Sequence, residues 1–367
     1  MTAWIVLFSL LMISLGVHTL LIARHRNSVI AYAISAPSIV LSVLLLLIRG
    51  DMGTDWIGYN TIYDRTSTLG DLLRGSWLGF HFEPGFQLYI GALKTVSLNS
   101  NWIPLGLYVV SMAIIFNKIR MLSLAPIPVV VMYTLLIYPH FFEQIRMAFV
   151  YSVGVYIAIT YFFENKKKYI IAVLASTFQY IGIFYIFLLL FSDMIRNTSK
   201  YVSNIRSPVF LFLFIFSILL AWSFGRHLYD ALFQLIAYLP GNIITYKLLS
   251  YHERVVDLDL SYRGVLLMSI MILFIMLRLQ INRHATDSLI NLFGLALWIS
   301  IIVFLIFGHF NVLSHRVISM MLYPTVTVLI AVLSLASRRD FYIGFICLAY
   351  AIYGFYKMIN NIGPYSL

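Results

Sequence analysis

The chain has 367 residues, of which 61% are hydrophobic and 11% charged, and its mean hydropathy is +0.91. A soluble domain carries about a quarter charged residues, so this composition excludes a soluble enzyme and predicts a membrane protein. The single cysteine, Cys347, lies in an apolar run and excludes a disulfide framework or a cysteine-based metal cluster, while the net charge of +11 fits Lys and Arg gathered in cytoplasmic loops rather than a nucleic-acid partner.

The first apolar run, Thr2–Ala23, has no basic n-region and no small-residue cleavage site, so it is expected to be a retained span. A spanning helix needs about 20 mostly apolar residues. That length predicts spans at 3–23, 29–48, 102–119, 123–139, 147–163, 208–225, 263–280, 288–307, 317–336 and 341–356. Two segments fit less simply. Residues 84–98 are apolar but short and contain Lys94, and residues 169–191 carry a polar break at Thr177, Gln179 and Gly182. The expected fold is an all-α, polytopic membrane bundle, one domain over residues 1–367, with about 10–12 transmembrane helices including re-entrant or half-helices.

Basic residues choose the topology. If 84–98 only dips into the outer leaflet and 169–191 is a hairpin of two half-helices, the inside loops hold 14 of the 25 Lys and Arg. If both are ordinary spans, the inside holds 10. The positive-inside rule favours the hairpin, which is permitted where protein buries the polar backbone. The outside then has two long loops, about 49–101 and 226–262, and 10 of the 14 acids. Loops of that kind carry function.

Four groups of residues are candidates for chemistry. The first loop reads RGDMGTDWIGYNTIYD and then HFEPGF, placing Asp55 and Glu83 beside Trp56 and Tyr59. Aromatic rings and carboxylates at a membrane surface suit a sugar, which stacks through its CH face and donates from its hydroxyls. The same residues also suit an interfacial aromatic belt with acids at helix starts. The second group is PHFFEQIRMAF, where His140, Glu143 and Arg146 are spaced by three and would share one helical face. Arg146 is read either as a site residue or as an arginine reaching the headgroups or paired to Glu143. The third group is Tyr262-Arg263, and the fourth is GHFNVLSHR with His315 and Arg316.

Arg146, Arg263 and Arg316 thus stand at the external ends of three spans. Converging, their planar forks would clamp a diphosphate bidentately. Tyr262 and His315 would line the sugar side with Trp56 and Tyr59. There is no P-loop, no GxGxxG leading into a helix and no HExxH, so metal-independent chemistry without a cofactor is expected. Acids within spans are nearly absent, which argues against an ion-coupled transporter.

The succession GTDWIGY, EPGF, FEQIRMAFVYSVGVYIA, a KKK turn and a polar-broken apolar hairpin resembles the EpsG family, polysaccharide polymerases related in role to the Wzy O-antigen polymerases. The likeness covers roughly residues 45–195. In one departure, many members carry a histidine at the hairpin tip where this chain reads Phe178-Gln179-Tyr180.

The resemblance implies a multi-pass bacterial inner-membrane glycosyltransferase with its site facing the periplasm. It would transfer glycan from undecaprenyl diphosphate onto the non-reducing end of another lipid-linked repeat unit. Its partners would be the undecaprenyl-diphosphate-linked oligosaccharide and membrane lipids, with a chain-length regulator and a flippase as candidates. In that reaction Arg146, Arg263 and Arg316 would hold the leaving diphosphate. Asp55 and Glu83, then Glu143 and His140, would supply the base and position the acceptor. Other readings are an O-antigen ligase, a transferase using a polyprenyl-monophosphate sugar, a flippase and a membrane acyltransferase.

Overall fold

A computed structural model describes residues 29–48, 55–78, 82–122, 140–164, 168–190, 215–221, 295–306 and 311–335, together with isolated positions between them. The expected spans 3–23 and 341–356 lie outside the described residues, as do most of 123–139 and 263–280. All regular structure among the described residues is helical. Packing divides the chain into two compact units, residues 1–186 with 326–367, and residues 187–325.

The first unit is built on two helices of 20 residues each, α5 (Trp102–Met121) and α7 (Ile145–Glu164), packed against one another. At 1.5 Å per residue each is about 30 Å long, the thickness of a hydrocarbon layer. Among the described residues α5 is the one helix long and apolar enough to cross a membrane. Pro104 is tolerated in its first turn, where backbone N–H groups have no helical acceptor. Lys118 and Arg120 in its last turn complement the dipole. The core between the two helices is aromatic. Tyr108 meets Tyr138 and Phe141 edge-on at 5.4 Å, and the Tyr133 hydroxyl pairs with Ser152 Oγ at 2.9 Å. Helix α1 (Val29–Leu47) joins α5, and its Ser42 carbonyl accepts from the Tyr138 hydroxyl at 2.7 Å. A short helix, α6 (His140–Glu143), precedes α7.

The first long loop folds as three helices, α2 (Trp56–Arg65), α3 (Leu69–Leu73) and α4 (Pro84–Thr95). With 12 residues, α4 reaches only about 18 Å and is too short to cross a bilayer. Its partners are polar and specific. Lys94 Nζ donates to the Asp64 carbonyl at 3.0 Å and lies 4.8 Å from the Tyr63 ring centroid, whose hydroxyl donates to the Leu98 carbonyl. The Leu69 N–H donates to Thr95 Oγ1 at 3.1 Å.

Residues 169–190 do not form one helix. Helix α8 (Tyr169–Phe178) stops at extended Gln179, a 3-10 turn covers Tyr180–Gly182, and helix resumes at 183–190. At Gly182 a Cβ would stand 2.8 Å from the backbone of Ala175 and Ser176, so only glycine allows the chain to fold back there. The neighbours on α7 agree. Phe178 packs on Phe149 at 4.5 Å, whereas Tyr185 reaches Gly154. That step of five residues runs about 7.5 Å back toward the Glu164 end, so the chain reverses at its polar break.

In the second unit, helix α9 (Leu295–Ile306) meets residues 217–228: Trp298 Nε1 donates to Ser217 Oγ at 2.9 Å, and Ile302 and Ile306 face Ala221 and Phe224 across an apolar hollow of about 350 Å³. Helix α10 (Asn311–Leu335) follows it in the chain.

Candidate functional site

Glu83 and Asp55 both sit at helix N-cap positions, before α4 and α2, and neither side chain caps its helix. A carboxylate at this position ordinarily accepts from the first-turn N–H groups. The Glu83 carboxylate instead accepts from Arg146 Nη1, and Pro84 at the first helical position removes one of the N–H groups that would compete for it. Gln87, one turn on, pins the approach to Glu83. Its Oε1 accepts from the Leu78 N–H at 2.9 Å, and its Nε2 donates to the Phe82 carbonyl at 2.8 Å.

Arg146 is the second residue of α7. Its guanidinium carbon lies 5.9 Å from the Tyr59 ring centroid and 5.5 Å from that of Phe86. Those two rings meet edge-on at 5.8 Å, so the cation is held by two π faces as well as by Glu83. The Arg146 backbone N–H makes a long contact of 3.5 Å to the Tyr59 hydroxyl. Asp55, exposed at the start of α2, is near enough for its charge to act on the guanidinium. The side chain of Glu83 is 2% exposed and that of Arg146 is 23% exposed. The carboxylate is therefore sealed in, while part of the Arg146 side chain stays exposed. A guanidinium has five N–H donors, and Glu83 takes Nη1.

The hairpin tip reaches the same place. At Gly85 a Cβ would collide with Thr177 Oγ1, so α8 docks on the turn that carries Glu83. Phe178 touches Tyr89 of α4 and Phe149 of α7, the latter three residues from Arg146. Among the described residues no three His, Cys, Asp or Glu side chains come together. The site is an arginine–glutamate pair with an exposed acid nearby and aromatic walls.

The sequence-predicted residues separate in the structure. Arg146, Glu83, Tyr59 and Asp55 come together. Trp56 does not present a platform to a sugar: it is 1% exposed, because its side of α2 faces the protein. His140 and Arg146 do not share an open face. The helix is interrupted at Gln144, and His140 is buried with its ring edge-on to Tyr151 at 5.2 Å. The Glu143 and His315 side chains, Tyr262 and Arg263 lie outside what is described. Arg316 stands on α10 in the second unit. Phe86 and Tyr180 were not anticipated as site residues. The polar break beside Tyr180 was the one local signal that its surroundings were unusual.

Among the described residues the chain is helical, with one span-length helix and a partly exposed arginine side chain at the start of α7. The EpsG family model matches residues 32–367, nearly the whole chain, and the chain belongs to the EpsG family. That family is Wzy-type polymerase-like, which places the chain in membrane polysaccharide biosynthesis with a polymerase-like role. No curated protein and no solved structure matches it.

Proposed function

We propose that the protein is a metal-independent polymerase that extends a glycan carried on a polyprenyl diphosphate. The bond between the glycan's anomeric carbon and the carrier's diphosphate oxygen breaks. A new glycosidic bond forms to a hydroxyl of a second lipid-linked unit. The hydroxyl proton goes to a carboxylate, and the carrier leaves as the diphosphate. The observation that carries this reading is Arg146, whose side chain is partly exposed and whose guanidinium is held in place by a carboxylate that is itself sealed from solvent.

Negative charge grows on the departing diphosphate, so a pre-positioned guanidinium stabilises the transition state. Arg146 fills that role. Glu83 aims Arg146 and balances its charge before substrate arrives. Asp55, exposed and within electrostatic reach of Arg146, is the preferred base, with Glu143 next. Tyr59 braces the cation.

The chain lies in the bacterial inner membrane as a multi-pass bundle, with its Arg146 end facing the periplasm and the Lys118 and Lys166 end facing the cytoplasm. Residues 84–98 and 169–191 enter the bilayer without crossing it.

Arg146→Ala is expected to abolish polymer while single repeat units persist on a glycan gel and the protein stays in the membrane. Polymer persisting on the carrier lipid would point to a ligase instead. In a Cys347→Ser background, a cysteine at Ile57 should label from outside and one at Lys166 from inside. The opposite pattern overturns the orientation.

A further inference from the structure

The hairpin tip bridges the two elements that carry the charged pair. Thr177 meets α4 at Gly85, two residues from Glu83, and Phe178 meets α7 at Phe149, three residues from Arg146. The next turn, Tyr180–Gly182, is held by the Gly182 N–H donating to the Gln179 carbonyl at 2.8 Å and by the close approach of Gly182 to Ala175. Tyr180 therefore projects from a fixed point. Tyr180 lies within electrostatic reach of Glu83 and Arg146. Yet 42% of the residue is exposed. An aromatic residue beside a buried ion pair, with nearly half its surface open, is placed to meet whatever approaches that pair.

We infer that Tyr180 is a substrate-contacting residue, whose hydroxyl donates to a diphosphate oxygen of the glycosyl donor alongside Arg146. This rests on the polymerase reading and deepens it. A phenol is a neutral donor, so it adds a hydrogen bond to the leaving group without adding charge that Glu83 would have to balance. Because charge on the leaving oxygen grows in the transition state, the bond strengthens as the glycosyl bond breaks. The tip thus supplies a second direction of contact beside Arg146 from α7.

The experiment uses the full-length protein in lipid vesicles with a lipid-linked repeat unit, and inorganic diphosphate as the probe of the anion site. Tyr180→Phe keeps the ring and removes the donor. It should lower turnover by about tenfold or more and weaken inhibition by diphosphate to a similar extent, the size of one hydrogen bond to a charged group, with melting temperature unchanged. Tyr180→His retains a donor and should recover part of the loss.

Full activity with unchanged diphosphate inhibition in Tyr180→Phe overturns the inference. So does an equal loss in both variants accompanied by a lowered melting temperature, which would mark a packing role. The parent reading fails separately. If the unsubstituted protein extends no chain, or Arg146→Ala extends it normally, the polymerase assignment falls. If Arg146→Ala is inactive and Tyr180→Phe is normal, only the role of Tyr180 falls.

Discussion

The two ends of α7 carry the same kind of interaction with opposite access. At one end Arg146 pairs with Glu83, and the glutamate side chain is sealed at 2% exposure while the arginine side chain is 23% exposed. At the other end Lys118 pairs with Glu164 at 2.5 Å, and here the cation is sealed at 6% and the carboxylate is 19% open. Glu164 also meets the exposed Lys166 at 3.5 Å, and Lys118 lies 5.8 Å from the Tyr156 ring centroid. Eighteen residues of helix separate Arg146 from Glu164, about 27 Å. The access decides the use. A buried acid holding a partly exposed arginine suits the anion-binding role proposed for Arg146. A buried lysine with an acid already shared by two cations is a clasp between α5 and α7.

The largest expected effect comes from breaking the first pair. Arg146→Ala strands the Glu83 carboxylate in an apolar site, which costs about 3–5 kcal/mol and removes the proposed clamp. Activity and melting temperature should both fall. Glu83→Gln keeps the shape and leaves Arg146 partly open, so stability should fall less than in Arg146→Ala while turnover still drops. Equal melting temperatures for the two variants would show that burial of Glu83 does not set the cost.

The second effect concerns the docked tip. Gly85→Ala places a methyl group against Thr177 and Phe178, and should cost about 1–3 kcal/mol, typical of overpacking. Turnover should fall with it, because the tip would be pushed off the Glu83 turn. Normal turnover in this variant would mean that docking of the tip is not needed.

The clasp should behave differently. Glu164→Gln leaves the buried Lys118 uncompensated and is expected to lower the melting temperature without changing chain length in the polymer. Lys118→Met replaces the buried cation with an apolar side chain of similar length and should be better tolerated, since the remaining acid keeps Lys166. A loss of polymerisation in either variant would mean that the two ends are coupled.

The smallest effect is pH dependence at Glu164, which lies beyond the apolar stretch Ile145–Tyr161. Its hydrogen bond from Lys118 holds the carboxyl below its ordinary value of 4.5, against the opposing effect of burial. The sign follows. The stabilisation is complete above 4.5 and is lost as pH falls through the lowered value. Melting curves recorded at decreasing pH should show this loss, and Glu164→Gln should remove it.

Much of the site was legible from local pattern. Asp55, Tyr59, Glu83 and Arg146 stand out because acids and an arginine are scarce in so apolar a chain. The polar break at Thr177–Gly182 marked the hairpin because polar backbone inside an apolar run needs burial. Trp56 was misread because the same residue type serves a core and a sugar platform, and only the direction of its helix face separates them. His140 was grouped with Arg146 on spacing alone, which assumes an unbroken helix. The interruption at Gln144 sends the two toward different neighbours.

Composition and hydropathy by themselves determined that this is an all-helical membrane chain, and its charge pattern marked two unlike faces. Those properties sum over residues and need no knowledge of the chain's path. Which carboxylate meets Arg146, which cation stays open and where Tyr180 stands were decided by tertiary structure. The Arg146–Glu83 pair joins residues 63 positions apart, and the tip arrives from a third segment. Contacts of that range depend on how helices pack, and no local periodicity encodes them.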